Sequence, residues 1–302
     1  MALRRNLARW LVRGVIRPGI APGRSLARRR QHVERSARLL PPPRGVRRAP
    51  AGAENPGGEW WLPPGVAPDT ERGAVLYIHG GGFMLGSPAS HRGVAARLAR
   101  QTGLPVLAAH YRLAPEHAYP DGLEDLQLAW RRITRGGARK VALAGDSAGG
   151  WLALALAHYA AAAGLPRPFG AALFSPLVDL SGAAHIAPAA HDLMLPPGFV
   201  AESIAAWRGG LPADDPRFDL LGAQLAELPP LFISHDRDEL LAGDARRLAR
   251  AAQAAGVQVR VEEGRGLWHA WPLLAGLLPE ADATLRSAAA MLTPAVLPGG
   301  PG

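Results

Sequence analysis

The chain has no cysteine and a single lysine, Lys140, in 302 residues. The first absence excludes disulfides, thiolate nucleophiles and cysteine-ligated metals. It also fits a reducing compartment, so a cytoplasmic location is expected. No apolar run approaches the ~18–20 residues that a bilayer span requires, which leaves no transmembrane segment to expect. Acids are nearly missing from one stretch: residues 1–50 hold fourteen arginines and the single acid Glu34. That stretch carries +13, so with a formal net charge of +9 the remainder of the chain sums to −4. The basicity belongs to an N-terminal arm and does not describe the main body.

The composition present is that of an ordinary globular chain, 48% hydrophobic and 20% charged. The length gives room for one large α/β domain with a small accessory domain. In the arm, Arg4, Arg5, Arg9, Arg13 and Arg17 interrupt every candidate apolar segment of a signal peptide. Leu3, Leu7, Trp10 and Leu11 recur at helical spacing opposite most of those arginines. Such a helix suits a membrane surface, a nucleic acid, or packing on its own protein. The last reading is favoured: the stripe faces the protein and the arginines face water. No nucleic-acid partner is expected, and any membrane contact through the basic arm is weak and peripheral.

Beyond about residue 45, short apolar runs alternate with helical stretches, which predicts a mostly parallel sheet flanked by helices. The expected strands are Ala74–Ile78, Pro105–His110, Lys140–Ala144, Ala171–Ser175, Leu231–Ser234 and Val257–Val261. The expected helices are His91–Gln101, Leu123–Arg132, Ala148–Ala162, Gly243–Ala255 and Glu280–Met291. Polar residues alternate from Val257 to Glu262, so that strand should have one wet face and lie near a sheet edge. Pro188, Pro196, Pro197 and a helix-like stretch, Gly198–Trp207, break the rhythm. The expected division is a helical cap from 1–45 and 184–213 over an α/β domain of 46–183 and 214–302. The glycine- and proline-rich end from Leu297 is expected to be disordered.

Gly145-Asp146-Ser147-Ala148-Gly149 is a G-x-S-x-G directly after an apolar strand and directly before an Ala/Leu-rich helix. A nucleophile needs that setting: a tight strand-to-helix turn lifts the side chain clear, and glycines leave room for the crowded backbone. The pentapeptide alone is a weak signal in a chain with thirty-six glycines, where a glycine-rich turn with a capping serine is the bland alternative. A second motif decides between them. His79-Gly80-Gly81-Gly82 follows the strand Ala74–Ile78, and consecutive glycines let the backbone present N–H groups to a ligand. A phosphate loop would need a following Lys-Ser/Thr, which is absent. H-G-G-G before G-x-S-x-G, each after a strand, is the arrangement of lipases and esterases of the α/β-hydrolase fold.

In these motifs the chain resembles the bacterial hormone-sensitive-lipase-like (family IV) carboxylesterases of the α/β-hydrolase superfamily. The matching segments are Tyr77–Phe83, Gly86–Pro88, Tyr111–His117, Gly145–Gly150, Ser175-Pro176 with Asp179-Leu180, and Gly266–His269. The likeness spans roughly residues 55–290. It departs at His110, where the family usually has an acid, and at Phe218–Leu221, where Ser-Pro-Leu is common.

The fold orders its triad Ser, acid, His, which leaves His235 and His269 as candidate bases. His269 follows the last expected strand on a loop and matches the family's catalytic histidine. His32, His91, His158, His185 and His191 are read as structural. Asp236, Asp238 and Glu239 crowd the end of strand Leu231–Ser234, and any of them could orient the imidazole. The resemblance implies Glu239, with the other two acids in solvent. It also implies an oxyanion hole from the N–H groups of Gly81, Gly82 and Ala148. The expected enzyme is a serine esterase or lipase acting on short- to medium-chain acyl esters, without metal or cofactor. The same triad would serve an interfacial lipase, an amidase or an acyltransferase. A ligand-binding homologue without activity is disfavoured because His269 is present. The resemblance further implies a homodimer through the edge strand near Val257–Val261.

Overall fold

Runs such as Ala74–Ile78 and Val141–Ala144 have no polar face to give to water, so they lie in a parallel sheet covered on both sides. The computed structural model describes residues 2–52, 57–68, 73–135, 140–181 and 192–293. Its strands are β1 (Arg47–Pro50), β2 (Gly58–Leu62), β3 (Ala74–Ile78), β4 (Val106–Ala109), β5 (Val141–Asp146), β6 (Ala171–Phe174), β7 (Leu231–Asp236) and β8 (Val259–Gly264). They form one sheet in the order β1-β2-β4-β3-β5-β6-β7-β8. β2 runs antiparallel to β1 and β4, and every other pair is parallel. The register sets Ile78 opposite Gly145, Asp146 opposite Phe174 and Phe174 opposite Ser234. The residues that follow the ends of β3, β5 and β6 (His79, Ser147 and Ser175) therefore emerge at one end of the sheet, beside the last residues of β7.

The helices are α1 (Ala2–Leu11), α2 (Arg17–Ile20), α3 (Leu26–Ser36), α4 (Arg92–Thr102), α5 (Asp121–Arg135), α6 (Ala148–Ala162), α7 (Phe199–Arg208), α8 (Ala242–Ala254) and α9 (Pro279–Leu292), with a π-helical segment Val12–Ile16 joining α1 to α2. α6 is apolar all round and buried along nearly its whole length, as a central helix must be. α5 has Asp121 and Glu124 in its first turn and Arg132 and Arg135 in its last, matching the helix dipole. α4 packs with α9 and α5 with α6.

The first two strands were not foreseen. β1 (Arg-Arg-Ala-Pro) has a poor strand composition and β2 (Gly-Glu-Trp-Trp-Leu) a short, mixed one; they exist because β2 completes the ladder of β4 through Trp61–Val106 and its neighbours, and β1 pairs with β2. β8 begins two residues later than expected. Gly256 (φ 84°) and Val257 first close a Schellman motif on α8, with Val257 N donating to Ala252 O at 3.0 Å. β8 is a sheet edge, as expected, but the predicted alternation fails at Val261, which is 42% exposed.

The arm is helical, but of the stripe expected to face the protein only Leu11 does so. Leu3, Leu7 and Trp10 are 82%, 51% and 64% exposed, whereas Ala8, Leu11 and Val12 are buried. Guanidinium groups hold the helix down on the polar rim of the body: Arg5 pairs with Glu280 at 2.6 Å, and Arg9 donates to the Gly266 carbonyl at 2.7 Å. Farther along the arm, Arg17 donates to the Asp192 carbonyl at 2.6 Å. Such acceptors need donors that leucine cannot supply. Arg29 is buried, pairing with Glu202 at 2.6 Å beneath the ring of Phe199. His32 is structural, with Nε2 2.9 Å from the Val15 carbonyl. Pro188, His185, His191 and the end from Leu297 lie outside the described residues.

Candidate active site

β5 ends at Asp146, and the chain turns into α6 through Ser147 at φ 54°, ψ −122°. A non-glycine residue held there stores strain, and three hydrogen bonds enforce it. Ser147 N donates to Phe174 O at 2.9 Å, and its carbonyl accepts from Gly150 N (2.9 Å) and Leu177 N (3.0 Å). A Cβ on Gly149 would stand 2.1 Å from the Ile78 carbonyl oxygen, so this close approach admits only glycine.

The loop after β3 passes beside this turn. Gly81, Gly82 and Phe83 all have positive φ, at 110°, 63° and 59°. Among the described residues, the amides of Gly81 and Gly82 donate to no protein acceptor. Ala148 is the first residue of α6, so its amide is also free of the helix ladder. The loop is anchored from below by Asp146, whose Oδ1 accepts from Tyr77 Oη (2.5 Å) and Gly80 N (3.1 Å). His91 Nε2 lies 3.5 Å from Asp146 Oδ2. Tyr111 Oη donates to the His79 carbonyl at 2.8 Å, with its ring stacked on His79. Burial alone would raise the Asp146 carboxyl, but His91 and Tyr77 hold it below its usual range. Burial would lower His91, but Asp146 outweighs it and raises the imidazole. His79 is pushed down to about 3, first by burial and then by His91. The turn thus rests on the buried Asp146 carboxylate faced by His91, beside a neutral His79.

His269 sits on the loop after β8 and is buried. Its Nδ1 lies 3.6 Å from Glu239 Oε1, just past hydrogen-bond length. Glu239 Oε2 accepts from Ser175 Oγ (2.8 Å) and Asp236 N (3.0 Å). Burial would lower the His269 imidazole, but Glu239, with help from Asp192 and Asp146, raises it above 6.5. Of the three carboxylates, only Glu239 stands beside His269. Asp236 instead accepts from Asp238 N and Leu267 N, and Asp238 is exposed. His235 places its Nδ1 3.1 Å from the Asp236 carbonyl and lies apart from Ser147's cavity.

Ser147, His269 and Gly81 line one cavity of about 140 Å³. Its apolar walls come from the arm through Leu11, Ile16, Ile20, Val33 and Leu40, and from Met194, Leu195 and Phe199. The sequence offers Ser175 only as part of a motif, yet in the fold it joins Glu239 to the loop that carries His269. Its place after a strand in register with the one before Ser147 was the available signal. The departure at His110 is harmless: His110 is exposed, and Arg112 is paired with Asp125 at 2.9 Å.

A family model described as an alpha/beta hydrolase fold matches residues 75–273. An acetyl-hydrolase of Streptomyces hygroscopicus is 38% identical over 225 residues, covering 72% of this chain and 74% of that protein. An ethyl acetate hydrolase of Pseudomonas putida is 32% identical over 232 residues, covering 74% and 73%. The crystal structure of an esterase from the bacterial hormone-sensitive lipase family superposes with a TM-score of 0.88 at 29% identity. That match covers 97% of this chain and 98% of the other.

Proposed function

This chain belongs to the hormone-sensitive-lipase-like branch of the α/β-hydrolase family and is a carboxylic ester hydrolase; on that premise we propose that Ser147, His269 and Glu239 are its catalytic triad. Ser147 Oγ attacks the ester carbonyl while His269 Nε2 takes its proton. Glu239 faces Nδ1, which keeps the other ring nitrogen turned toward Ser147 and stabilises the imidazolium. The N–H groups of Gly81, Gly82 and Ala148 receive the oxyanion, each having no competing protein acceptor. His269 then gives its proton to the departing alcohol, and water repeats the sequence on the acyl-enzyme. The observation that carries this reading is the Glu239–His269 pair at 3.6 Å beside the cavity that Ser147 lines.

The apolar walls around Ser147 favour a short- to medium-chain acyl group in that cavity, under a cap made by 1–45 and the 184–213 segment. The exposed edge of β8 supports a homodimer, which sedimentation velocity tests. The absence of cysteine supports a cytoplasmic location, which cell fractionation tests. No helix among the described residues is long and apolar enough to cross a membrane. The test of the triad is hydrolysis of p-nitrophenyl esters from acetyl to dodecanoyl, with organophosphate labelling mapped by mass spectrometry. Turnover peaking at short to medium chains with label on Ser147 is the expected result. Label on another serine overturns the assignment.

A further inference from the structure

We propose that the outward face of α1 is a docking surface for an anionic lipid bilayer, on which the helix lies in the interfacial plane. Leu3, Leu7 and Trp10 stand at i, i+4 and i+7 on one helix face and are among the most exposed large apolar side chains of the described residues. The helix cannot roll to bury them. Its opposite face is already occupied by Ala8, Leu11 and Val12, and the Arg5–Glu280 and Arg9–Gly266 contacts pin it. The apolar stripe is therefore held in water by the fold itself.

Charge selects the partner. Arg4 and Arg13 are exposed on α1 and the turn that follows it, and neither has an ion-pair or hydrogen-bond partner among the described residues. They belong to an arm with fourteen arginines and one acid, so a second copy of this surface would bring like charges together. A nucleic acid would answer the arginines and leave two leucines and a tryptophan against phosphate. A surface with an apolar interior and anionic headgroups answers both, which is the pattern of an interfacial helix. The inner face of the same helix supplies Leu11 to the Ser147 cavity. Docking would thus set the cavity wall against the acyl region of the membrane. That consequence rests on the esterase reading, whereas the docking itself does not.

The test is co-sedimentation of the full-length protein with vesicles of phosphatidylcholine alone and of phosphatidylcholine mixed with phosphatidylglycerol. Hydrolysis of soluble p-nitrophenyl butyrate serves as the folding control. The expected result is binding to the mixed vesicles and little to the neutral ones. Leu3→Ser/Leu7→Ser/Trp10→Ser should lose ~tenfold or more of that binding, because binding follows buried apolar area. Arg4→Gln/Arg13→Gln should lose less, and binding should fall as salt rises. Butyrate hydrolysis should be unchanged in both variants, and Ser147→Ala should bind vesicles like the parent, which separates docking from catalysis. No binding to anionic vesicles, equal binding by the triple variant, or a dimer that the triple variant dissolves would each overturn the proposal.

Discussion

The Ser175 hydroxyl donates to Glu239 Oε2 at 2.8 Å and accepts the Ala270 N–H at 2.9 Å, so one side chain ties the acid to the loop that carries His269. Ser175 is itself held at φ 49°. Ser175→Ala would leave the buried Ala270 amide without an acceptor and Glu239 Oε2 held by Asp236 N alone. We expect about 1–3 kcal/mol of lost stability by urea unfolding, and a fall in kcat of roughly tenfold or more from the loosened pair. Unchanged kcat with lowered stability would confine Ser175 to a structural role.

Glu239→Gln should cost several powers of ten in kcat with little change in Tm. Neutralising the equivalent acid costs about 10⁴ in the serine-protease template. Asp238→Asn should be close to neutral, because Asp238 is 69% exposed at its side chain and makes no contact with His269. A large loss at Asp238 would move the acid by one residue.

On the proposed triad, activity requires neutral His269; burial lowers that imidazole, but Glu239 outweighs it and raises it above 6.5. The acidic limb of kcat/KM should therefore lie above pH 6.5 and move down in Glu239→Gln. Stability has the opposite sense. A raised histidine stabilises the fold fully below the unfolded value near 6.5 and ceases to do so as pH rises through the folded value. His79, pushed down to about 3, acts with the opposite sign: below about 6.5 its unfolded form takes a proton that the folded form does not, so it lowers stability as pH falls from 6.5 towards 3. A pH–rate profile and a pH series of urea midpoints check both signs.

His91→Ala leaves the buried Asp146 carboxylate without its ionic partner. Breaking such a pair costs about 3–5 kcal/mol. The Tyr77 and Gly80 hydrogen bonds remain, so the lower end is expected. Denaturant unfolding measures it, and a cost well under 1 kcal/mol would mean that Asp146 needs only those two donors.

Deleting residues 1–40 removes Leu11, Ile16, Ile20, Val33 and Leu40 from the cavity wall. The expected outcome is a higher KM, largest for the longer acyl chains, and a lower Tm. Identical acyl preference and melting would show that the arm takes no part in a cap.

The order of strand, turn and helix around Ser147 was legible because each part is local. An apolar β5, glycines that admit close backbone approach and an apolar α6 are consecutive in the chain. Position after strand β3 likewise marked the Gly80–Gly82 loop, and the fixed order of the triad pointed to His269. The acid was narrowed to three carboxylates but chosen only by analogy. One residue of register separates Asp238 from Glu239, and the outcome depends on Ser175, 64 residues away from Glu239 in sequence. The Ser175–Ala270 bond spans 95 residues, and no local pattern encodes it.

β1 and β2 lack a local signal for the same reason, since the pairing of β1 with β2 and of β2 with β4 is long-range and outweighs local propensity. For α1, the sequence determined an amphipathic helix rich in arginine. Only the tertiary structure decided which face would be dry, because Glu280 and the Gly266 carbonyl take the arginines and leave Leu3, Leu7 and Trp10 in solvent.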